Sequence, residues 1–539
     1  MVRVSTVPIA LMLALGTTTA HAQDDRPVLN LSIDEAVARA LENNVDIAVE
    51  RYSPEIQDAA LISAKGPYDP YLQALVDHNT RTVPGQSAFS GGDEVSTDTQ
   101  NWSLSASQLF KTGGVLTVSW QNSKTDTDNV FNSFNPSFSS SLNVSLTQPL
   151  LRDRSIDSAR QQLRVSSNNV EVSGIQFRQA VINVVANVKV LYYNLIFAAD
   201  NLEAQRKSLA LAQRLLEENK IKVRVGTLAP LDVVEAEAEV AGRVETVIVG
   251  EAALEDAEDA IKQVIFPATD PETWMLRVVP TDRATAEPRE IDTAAAITKA
   301  LENRTDARAS RINLDNNEIS LEYARNQVKP GLDLEASYGG IGIGGTQIVR
   351  DGLGGPIIEE IPGGYGDATS QVFGNDFPTW RIGVRFSYPI LNRSAKGNEA
   401  RLELAKQQAE ASLRRLEFQI AREVRSAARS VKTNSERIDS TKAARVLQQR
   451  RLDAEEKRFA AGMSTNFLVT QAQRELAFAE VNELQAIADY RKSLIEFDRV
   501  QEAGGGGLVL TGGTGASQTN SVAAGQGTLR SGIANQGPQ

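Results

Sequence analysis

Residues 31–47, LSIDEAVARALENNVDI, return as residues 290–307, EIDTAAAITKALENRTDA, with Ala40-Leu41-Glu42-Asn43 matched by Ala300-Leu301-Glu302-Asn303 at an offset of 260. Three more landmarks recur in the same order. Pro70 matches Pro330, again at 260. Gln148-Pro149-Leu150-Leu151 matches Tyr388-Pro389-Ile390-Leu391 at 240, and Gly226, ten residues before Ala236, matches Gly462, ten before Ala472, at 236. One shared tetrapeptide arises by chance; four ordered matches mark an internal duplication. The copies are unequal, because the offset falls from 260 at the first proline pair to 240 at the second. The stretch from Pro70 to Pro149 is longer than that from Pro330 to Pro389 by the size of one β-hairpin of short strands. Lys111-Thr112-Gly113-Gly114 supplies a tight turn to close it.

Between the prolines the period is two. Trp380, Ile382, Val384, Phe386 and Tyr388 alternate with Arg381, Gly383, Arg385 and Ser387; Leu332, Leu334, Ala336 and Tyr338 alternate with Asp333, Glu335, Ser337 and Gly339. In the first copy Trp102, Leu104 and Ala106, then Leu116, Val118 and Trp120, then Leu142, Val144 and Leu146 form similar stripes. A lipid-facing, water-lined barrel requires this pattern. An antiparallel sheet on a soluble core shows the same alternation, so periodicity leaves both open. The polar or Gly-rich stretches 84–99, 123–139 and 344–379 read as extracellular loops.

Outside the prolines the period is helical. No proline occurs between Leu151 and Ala229 or between Ile390 and Gly537. Val181, Val188, Leu195, Leu202, Leu209 and Leu216 recur every seven residues, with Val184, Leu191 and Ala198 between them; Val424, Val431 and Ile438 repeat this more weakly. Sustained heptads mean coiled-coil packing. A helix over 154–223 would extend about 105 Å at 1.5 Å per residue and has to pair along its length, with a return helix 231–265 or with a neighbouring subunit.

The N-terminus carries Arg3, the apolar core PIALMLAL (residues 8–15) and Ala20-His21-Ala22, which together read as a cleavable signal peptide, residues 1–22. Its removal takes the net charge from −12 to −13. That acidic balance argues against nucleic acid as a partner. With no cysteine there is no disulfide, thiol catalysis or thiolate metal site, and no lipobox for an N-terminal lipid anchor. Beyond the signal there is no run of 18 apolar residues, so membrane entry falls to strands closed into a barrel.

The segments 224–233 (RVGTLAPLDV) and 458–468 (RFAAGMSTNFL) resemble the R-x-x-x-G-x-x-x-x-x-D-V-L-x-A-Q hairpin tips of the TolC-like outer membrane efflux proteins, with Gly226 and Gly462 at the glycine. The QPLL and YPIL junctions and the opening amphipathic segment are similar to that family too, and the resemblance covers roughly residues 29–502. It implies an α+β membrane protein: a duplicated helix–strand–helix unit with long periplasmic coiled-coil helices, and strands contributing to a trimeric outer-membrane β-barrel. It further implies a homotrimer in outer-membrane lipid, a periplasmic membrane-fusion adaptor docked at the tips and, through it, an inner-membrane pump. The chain would be the passive duct of an efflux or type I secretion system. No cofactor or metal and no enzymatic step is expected. The alternative class is an exported periplasmic coiled-coil scaffold without channel activity.

On this resemblance the first repeat is 23–265, an equatorial linker 266–290, the second repeat 291–502 and a disordered Gly-rich tail 503–539. Asp232 falls where the family carries an acidic residue at the aperture, and Glu235 and Glu239 follow on the next turns to extend a cation-attracting ring. Asp232 could equally cap the return helix. The corresponding second-tip positions are Leu468 and, one turn on, Gln471, so Phe467 or Leu468 would form an apolar constriction instead. Gly226, Thr227, Gly462 and Met463 would contact the adaptor. The family's two strands per copy give twelve in a trimer. An inserted pair inside the barrel would give eighteen; twelve, with the extra hairpin outside the wall, is favoured because a twelve-helix tunnel matches that circumference.

Two signals carry little. Residues 340–345, GIGIGG, follow a strand but open no helix, which argues against a phosphate loop. His78 is the one histidine outside the leader and has no visible catalytic or metal-binding companion.

Overall fold

The computed structural model describes residues 26–85, 93–267, 271–285, 287–352 and 355–504. The leader 1–22 and the tail from 505 onward lie outside the described residues. The first two residues of the expected tail are packed, not loose: Ala503 is fully buried and the Gly504 carbonyl accepts a hydrogen bond from the Gln179 side chain.

Each copy is built from the same parts. The first runs β1 (Val28–Leu31), α1 (Ile33–Asn43), α2 (Val45–Lys65), the strands β2 (Tyr71–Pro84), β3 (Glu94–Leu109), β4 (Val115–Thr127) and β5 (Phe134–Pro149), then α3 (Ser158–Arg224) and α4 (Pro230–Ile265). A connector holds the short α5 (Pro271–Trp274) and β6 (Arg277–Pro280). The second copy follows as α6 (Thr293–Asn303), α7 (Thr305–Val328), β7 (Gly331–Arg350), β8 (Ile357–Ile361), α8 (Tyr365–Gly374), β9 (Pro378–Ser387), α9 (Arg393–Ala460) and α10 (Asn466–Glu502). The four landmark prolines stand at the ends of the strand segments: Pro70 and Pro330 directly before β2 and β7, Pro149 as the last residue of β5, Pro389 two residues past β9. Proline cannot donate to a ladder, so it marks where pairing starts and stops.

The long helices α3 and α9 have 67 and 68 residues, about 100 Å each at 1.5 Å rise. Their heptad residues form the seam. Val188, Leu195, Leu202 and Leu216 are buried in α3, and Val424, Val431 and Ile438 in α9. In α9 the register runs on through Leu452 and Phe459, also buried. The intervening position is Arg445, which pairs with Glu483 of α10. That charged insertion is why the second heptad run looks weak in the sequence. The most apolar 18-residue stretch of α3 is only 33% buried within this protomer.

The repeated Ala-Leu-Glu-Asn segments seat the two cores. Ala36 and Ala40 of α1 pack with Val188, Tyr192 and Leu195 of α3 and with Ile261 and Ile265 of α4. Ala296 and Ala300 of α6 pack with Val424 and Val431 of α9 and with Tyr490 and Phe497 of α10. Small residues at these positions let a short helix lie close against two long ones. Ser32 caps α1 by accepting from the Glu35 amide, and Asp292 caps α6 by accepting from the amides of Ala294 and Ala295. Arg304, 1% exposed, donates to Asp306, Glu423 and the Val500 carbonyl and so clamps the α6–α7 junction onto α9 and α10. Two carboxylates and a carbonyl make such a buried guanidinium tolerable.

β1 and β6 pair in parallel although one opens the first copy and the other lies beyond its end, with Val28 opposite Arg277 and Leu31 opposite Pro280. Neither strand is foreseen in the sequence, which makes 266–290 read as a plain linker. Two tyrosines secure this region. The Tyr192 hydroxyl donates to Leu31 O at 2.9 Å or Asp282 Oδ2 at 2.7 Å, and the Tyr490 hydroxyl donates to Glu287 O at 2.8 Å while accepting from the Arg289 amide.

The three expected loops begin and end in strand. Residues 94–99, 123–127, 134–139 and 344–350 extend the ladders, β8 adds a short pairing, and α8 fills much of the remainder. The extra hairpin is not set apart from the other strands. β3 and β4 are joined by the turn at Phe110–Gly114 and pair along their lengths with β2 and β5 in one sheet.

Burial and the Asp282 carboxylate push the Tyr192 hydroxyl up to a pKa of about 12, from 10.0. The protonated form is the one the fold favours, so this stabilisation is intact below pH 10 and is lost as pH rises toward 12. Tyr192→Phe should cost about 1–2 kcal/mol at neutral pH, and its melting temperature should decline less between pH 10 and 12 than that of the wild type, as measured by thermal unfolding.

Candidate channel wall and aperture

The candidate wall lies in the sheet β2-β3-β4-β5-β7-β9, antiparallel throughout, with β8 pairing on the same edge of β7 as β9. Cross-strand register sorts its side chains onto two faces. One carries Leu72, Ala74 and Val76; Trp102, Leu104 and Ala106; Leu116, Val118 and Trp120; Leu142, Val144 and Leu146; Leu334, Ala336 and Tyr338; and Trp380, Ile382 and Val384. The opposite face carries Asn101, Ser103 and Ser105, Thr117 and Ser119, Asn143 and Ser145, Glu335 and Ser337, Arg381 and Arg385. Glu335 pairs with both Arg381 and Arg385 across β7 and β9. Apolar outside and hydrogen-bonding inside is the arrangement of a water-filled barrel wall. Toward the outer ends of β2, β3 and β4 the apolar face gives way to His78, Gln100 and Lys124, then to Thr80, Asp98 and Asp126. That row marks where lipid ends, and it places His78 beside Asp98 at 3.4 Å as a surface pair.

The glycines of residues 340–345 have a structural use. Gly340, Gly342 and Gly344 face α8, and a Cβ on Gly342 would collide with the Ala368 carbonyl, one on Gly344 with the Gly364 carbonyl. The seated helix buries Ala368 and Val372. Its Gln371 side chain accepts from the Ile343 amide at 3.1 Å and donates to the Ile343 carbonyl at 3.0 Å. An amide side chain thus stands in for a strand where β9 has ended and β8 has not begun. Trp102, Trp120 and Phe138 contact Tyr365 or Phe373 around this helix, an aromatic cluster at the outer edge of the apolar band.

The far end of the molecule is the pair of helical tips. Both turns are built identically. Gly226 has φ +80° and Gly462 φ +75°; the Thr227 amide donates to Lys222 O and the Met463 amide to Arg458 O, with Gly226 N to Val223 O and Gly462 N to Phe459 O inside them. These are Schellman caps, in which the glycine takes the left-handed angle that a side chain resists. Open space surrounds both glycines, so the requirement is on φ alone. The basic residue four positions before each glycine is the one whose carbonyl closes the cap: Arg458 in the second tip, Lys222 rather than Arg224 in the first.

The tips pack on each other. Leu215 of α3, Leu452 and Phe459 of α9, and Val469, Ala472 and Leu476 of α10 form a small core, with Leu228 against it. The Lys222 ammonium lies 3.6 Å from the centre of the Phe459 ring. Buried Asn219 donates to Asn466 Oδ1 at 2.7 Å, and Asn466 donates to the Asp232 carbonyl at 3.3 Å. This chain draws the starts of α4 and α10 together and brings Asp232 near Phe467 and Leu468.

Asp232 is not the cap of α4. The cap is Ala229, with Pro230 in the first helical turn and Asp232 half-buried within that turn. Glu235 is exposed, as are Phe467 at 62% and Leu468 at 40%. Gln471 is occupied, donating to Glu475 at 2.9 Å. Glu239 does not extend an acidic ring: Arg243 donates to it at 2.8 Å, and Arg474 of α10 reaches it with Nε at 2.8 Å. Burial alone would raise its pKa, but the two guanidiniums outweigh this and hold the carboxyl below its ordinary range. Arg474, Asn219 and Asn466 escape the sequence reading because nothing in their spacing shows that two hairpins from different copies meet. Gly226, Thr227, Gly462 and Met463 all lie at the exposed ends of the turns.

A chain that joins a half-lipid, half-water sheet with two open edges to helical hairpins about 100 Å long is a protomer of an outer-membrane channel. It belongs to the outer membrane efflux protein family, which it matches over residues 111–265 and 296–500. It is 24% identical over 347 residues to the outer membrane protein TolC of Vibrio cholerae serotype O1, covering 64% of this chain and 71% of that protein. Its fold is similar to the outer-membrane channel OprN, with TM-score 0.62 at 16% identity over 88% of this chain and 90% of that one. It is similar also to the CmeC outer membrane channel of Campylobacter jejuni, with TM-score 0.60 at 17% identity over 92% and 93%. The protein is thus an outer-membrane channel of the efflux type.

Replacing Gly226 or Gly462 with Ala should strain one cap by about 1–2 kcal/mol. Hydrogen exchange of the amides at 223–228 or 459–464 should quicken about tenfold, with the sheet amides unchanged.

Proposed function

We propose that three copies of this chain form a passive duct from the periplasm to the exterior, gated at the helical tips and docked there on a periplasmic membrane-fusion adaptor that leads to an inner-membrane pump. The observation that carries the reading is that one protomer holds a third of each part and completes none. Among the described residues its sheet has unpaired edges at β2 and β9, and much of the most apolar stretch of α3 is only half-buried. Second copies would meet both. The repeats 23–265 and 291–502 then each supply a hairpin to the periplasmic tunnel, and the region 266–290 lies at its equator. No bond is made or broken; transport energy comes from the partner pump.

The aperture lies where α4 and α10 begin. Asp232 with Glu235 would place acidic groups around the first tip, and Phe467 with Leu468 an exposed apolar pair around the second. The Glu239–Arg474 contact ties the two tips within one protomer. Opening requires the tip helices to shift apart, a movement of packed helices at an interface. The exposed turns at Gly226-Thr227 and Gly462-Met463 suit adaptor contact, because they protrude and carry the apolar Met463 at 74% exposure.

Asp232→Ala or Leu468→Ser should raise single-channel conductance in planar bilayers, the first with a loss of cation preference. Unchanged conductance in both variants would remove the gate from these positions. Extraction of outer membranes should require detergent and should yield a trimer that crosslinks to an adaptor; a soluble monomer would return the scaffold reading.

A further inference from the structure

We propose that the inserted hairpin β3–β4 is part of the membrane wall, so that the trimer closes as a barrel of eighteen strands, six from each protomer. The inference rests on the trimeric reading above and goes beyond it. Three observations carry it. First, the ladders are continuous: Tyr71–Pro84 pairs with 94–107, 97–109 with 115–127, and 115–125 with 137–147. A four-strand wall would need β2 to pair with β5, and β3 and β4 occupy that place. Second, the hairpin carries the same two-faced chemistry as its neighbours. Leu104 and Val118 continue the apolar face from Ala74 to Val144, and Ser105 and Ser119 continue the polar face. A hairpin folded into water has no reason to keep an apolar stripe in register with a lipid-facing one. Third, β3 and β4 run the full height of the apolar band and continue past the row of His78, Gln100 and Lys124 together with β2.

The free edges fit closure. β2 leads up from the periplasmic helices and β9 leads back down to them, so β9 of one protomer meets β2 of the next antiparallel, as strands do within the protomer. With a strand spacing of about 4.8 Å and a tilt near ~40°, eighteen strands give a backbone radius of ~18 Å, against ~12 Å for twelve. Passage through the membrane is then wide, and selection by size falls to the helical tips.

The chain has no cysteine, so single-cysteine labelling is clean. A nitroxide at Asn143→Cys, on the polar face of β5, reports the spacing of three equivalent sites in the trimer reconstituted in lipid. Backbone positions would stand about 31 Å apart for eighteen strands and about 21 Å for twelve; with the label reaching ~6 Å into the lumen, pulsed dipolar spectroscopy should show about 20 Å for eighteen strands and about 10 Å for twelve. Ser119→Cys, inside the hairpin, should give the same value as Asn143→Cys. The shorter, twelve-strand separation at Asn143, or a Ser119 distance outside the barrel range with Asn143 unchanged, would overturn the proposal. Paired cysteines across β2 and β9, such as Leu75→Cys with Gly383→Cys and neighbouring positions, test the trimer separately. A covalent trimer with the twelve-strand separation leaves the channel standing and removes only the eighteen-strand wall; failure of every seam pair to crosslink overturns both.

Discussion

Lipid supplies no hydrogen bonds, so every backbone amide and carbonyl in the membrane has to find a partner within protein. The sheet of this chain meets that demand along five seams and fails it at two edges, β2 and β9. Even inside the protomer the demand is visible. Where the pairing of β9 stops at Gly340 and that of β8 begins only at Gln347, the Gln371 side chain supplies the missing donor and acceptor to Ile343. The glycines that let α8 approach, and the helix itself, follow from that one gap. Among the described residues the outer edges have no such substitute, and they call for neighbouring copies.

The same constraint explains what could be read from the sequence. The lipid-facing rows are legible because burial in hydrocarbon forces alternation: Trp380, Ile382 and Val384 against Arg381 and Arg385. Above the membrane the ladders continue with no hydrocarbon on either side. His78, Gln100 and Lys124 sit on one face and Asp77 and Asn101 on the other, both polar. Hydrophobic period vanishes there while hydrogen bonding persists, so strand reads as loop. The parallel pair β1–β6 is hidden for a different reason: each strand is too short to show a period, and the partners stand far apart in the chain.

At the tips the balance is similar. The glycines are legible because a positive φ at a helix C-terminus leaves few other choices. The contacts Asn219–Asn466 and Glu239–Arg474 are not, since they join one copy to the other and depend on the tertiary path of four helices. Arg445 shows the reverse error. A charge at a heptad position weakens the apparent period, yet the helix continues because Glu483 meets it from α10. The acidic position Glu239, attractive as an aperture charge when read alone, is already neutralised by two guanidiniums. Asp232 and Glu235 are left as the acidic candidates for that role.

Equal numbers of strands and helices do not give equal girth. Packed helices lie about 8–10 Å apart, so twelve around a ring need a perimeter of roughly 100–120 Å. A strand tilted by about 40° takes only ~6 Å of perimeter. Twelve strands would therefore span about 75 Å and eighteen about 113 Å. Each protomer offers four helices abreast: α3 and α9, and the two shorter rows formed by α2 with α4 and by α7 with α10. Six strands per protomer bring the wall to about the girth of that ring, and the unequal duplication gains a physical sense. The first copy carries the additional hairpin where perimeter is short, in the β part, while the helical parts, whose perimeter is already sufficient, keep nearly equal length in both copies.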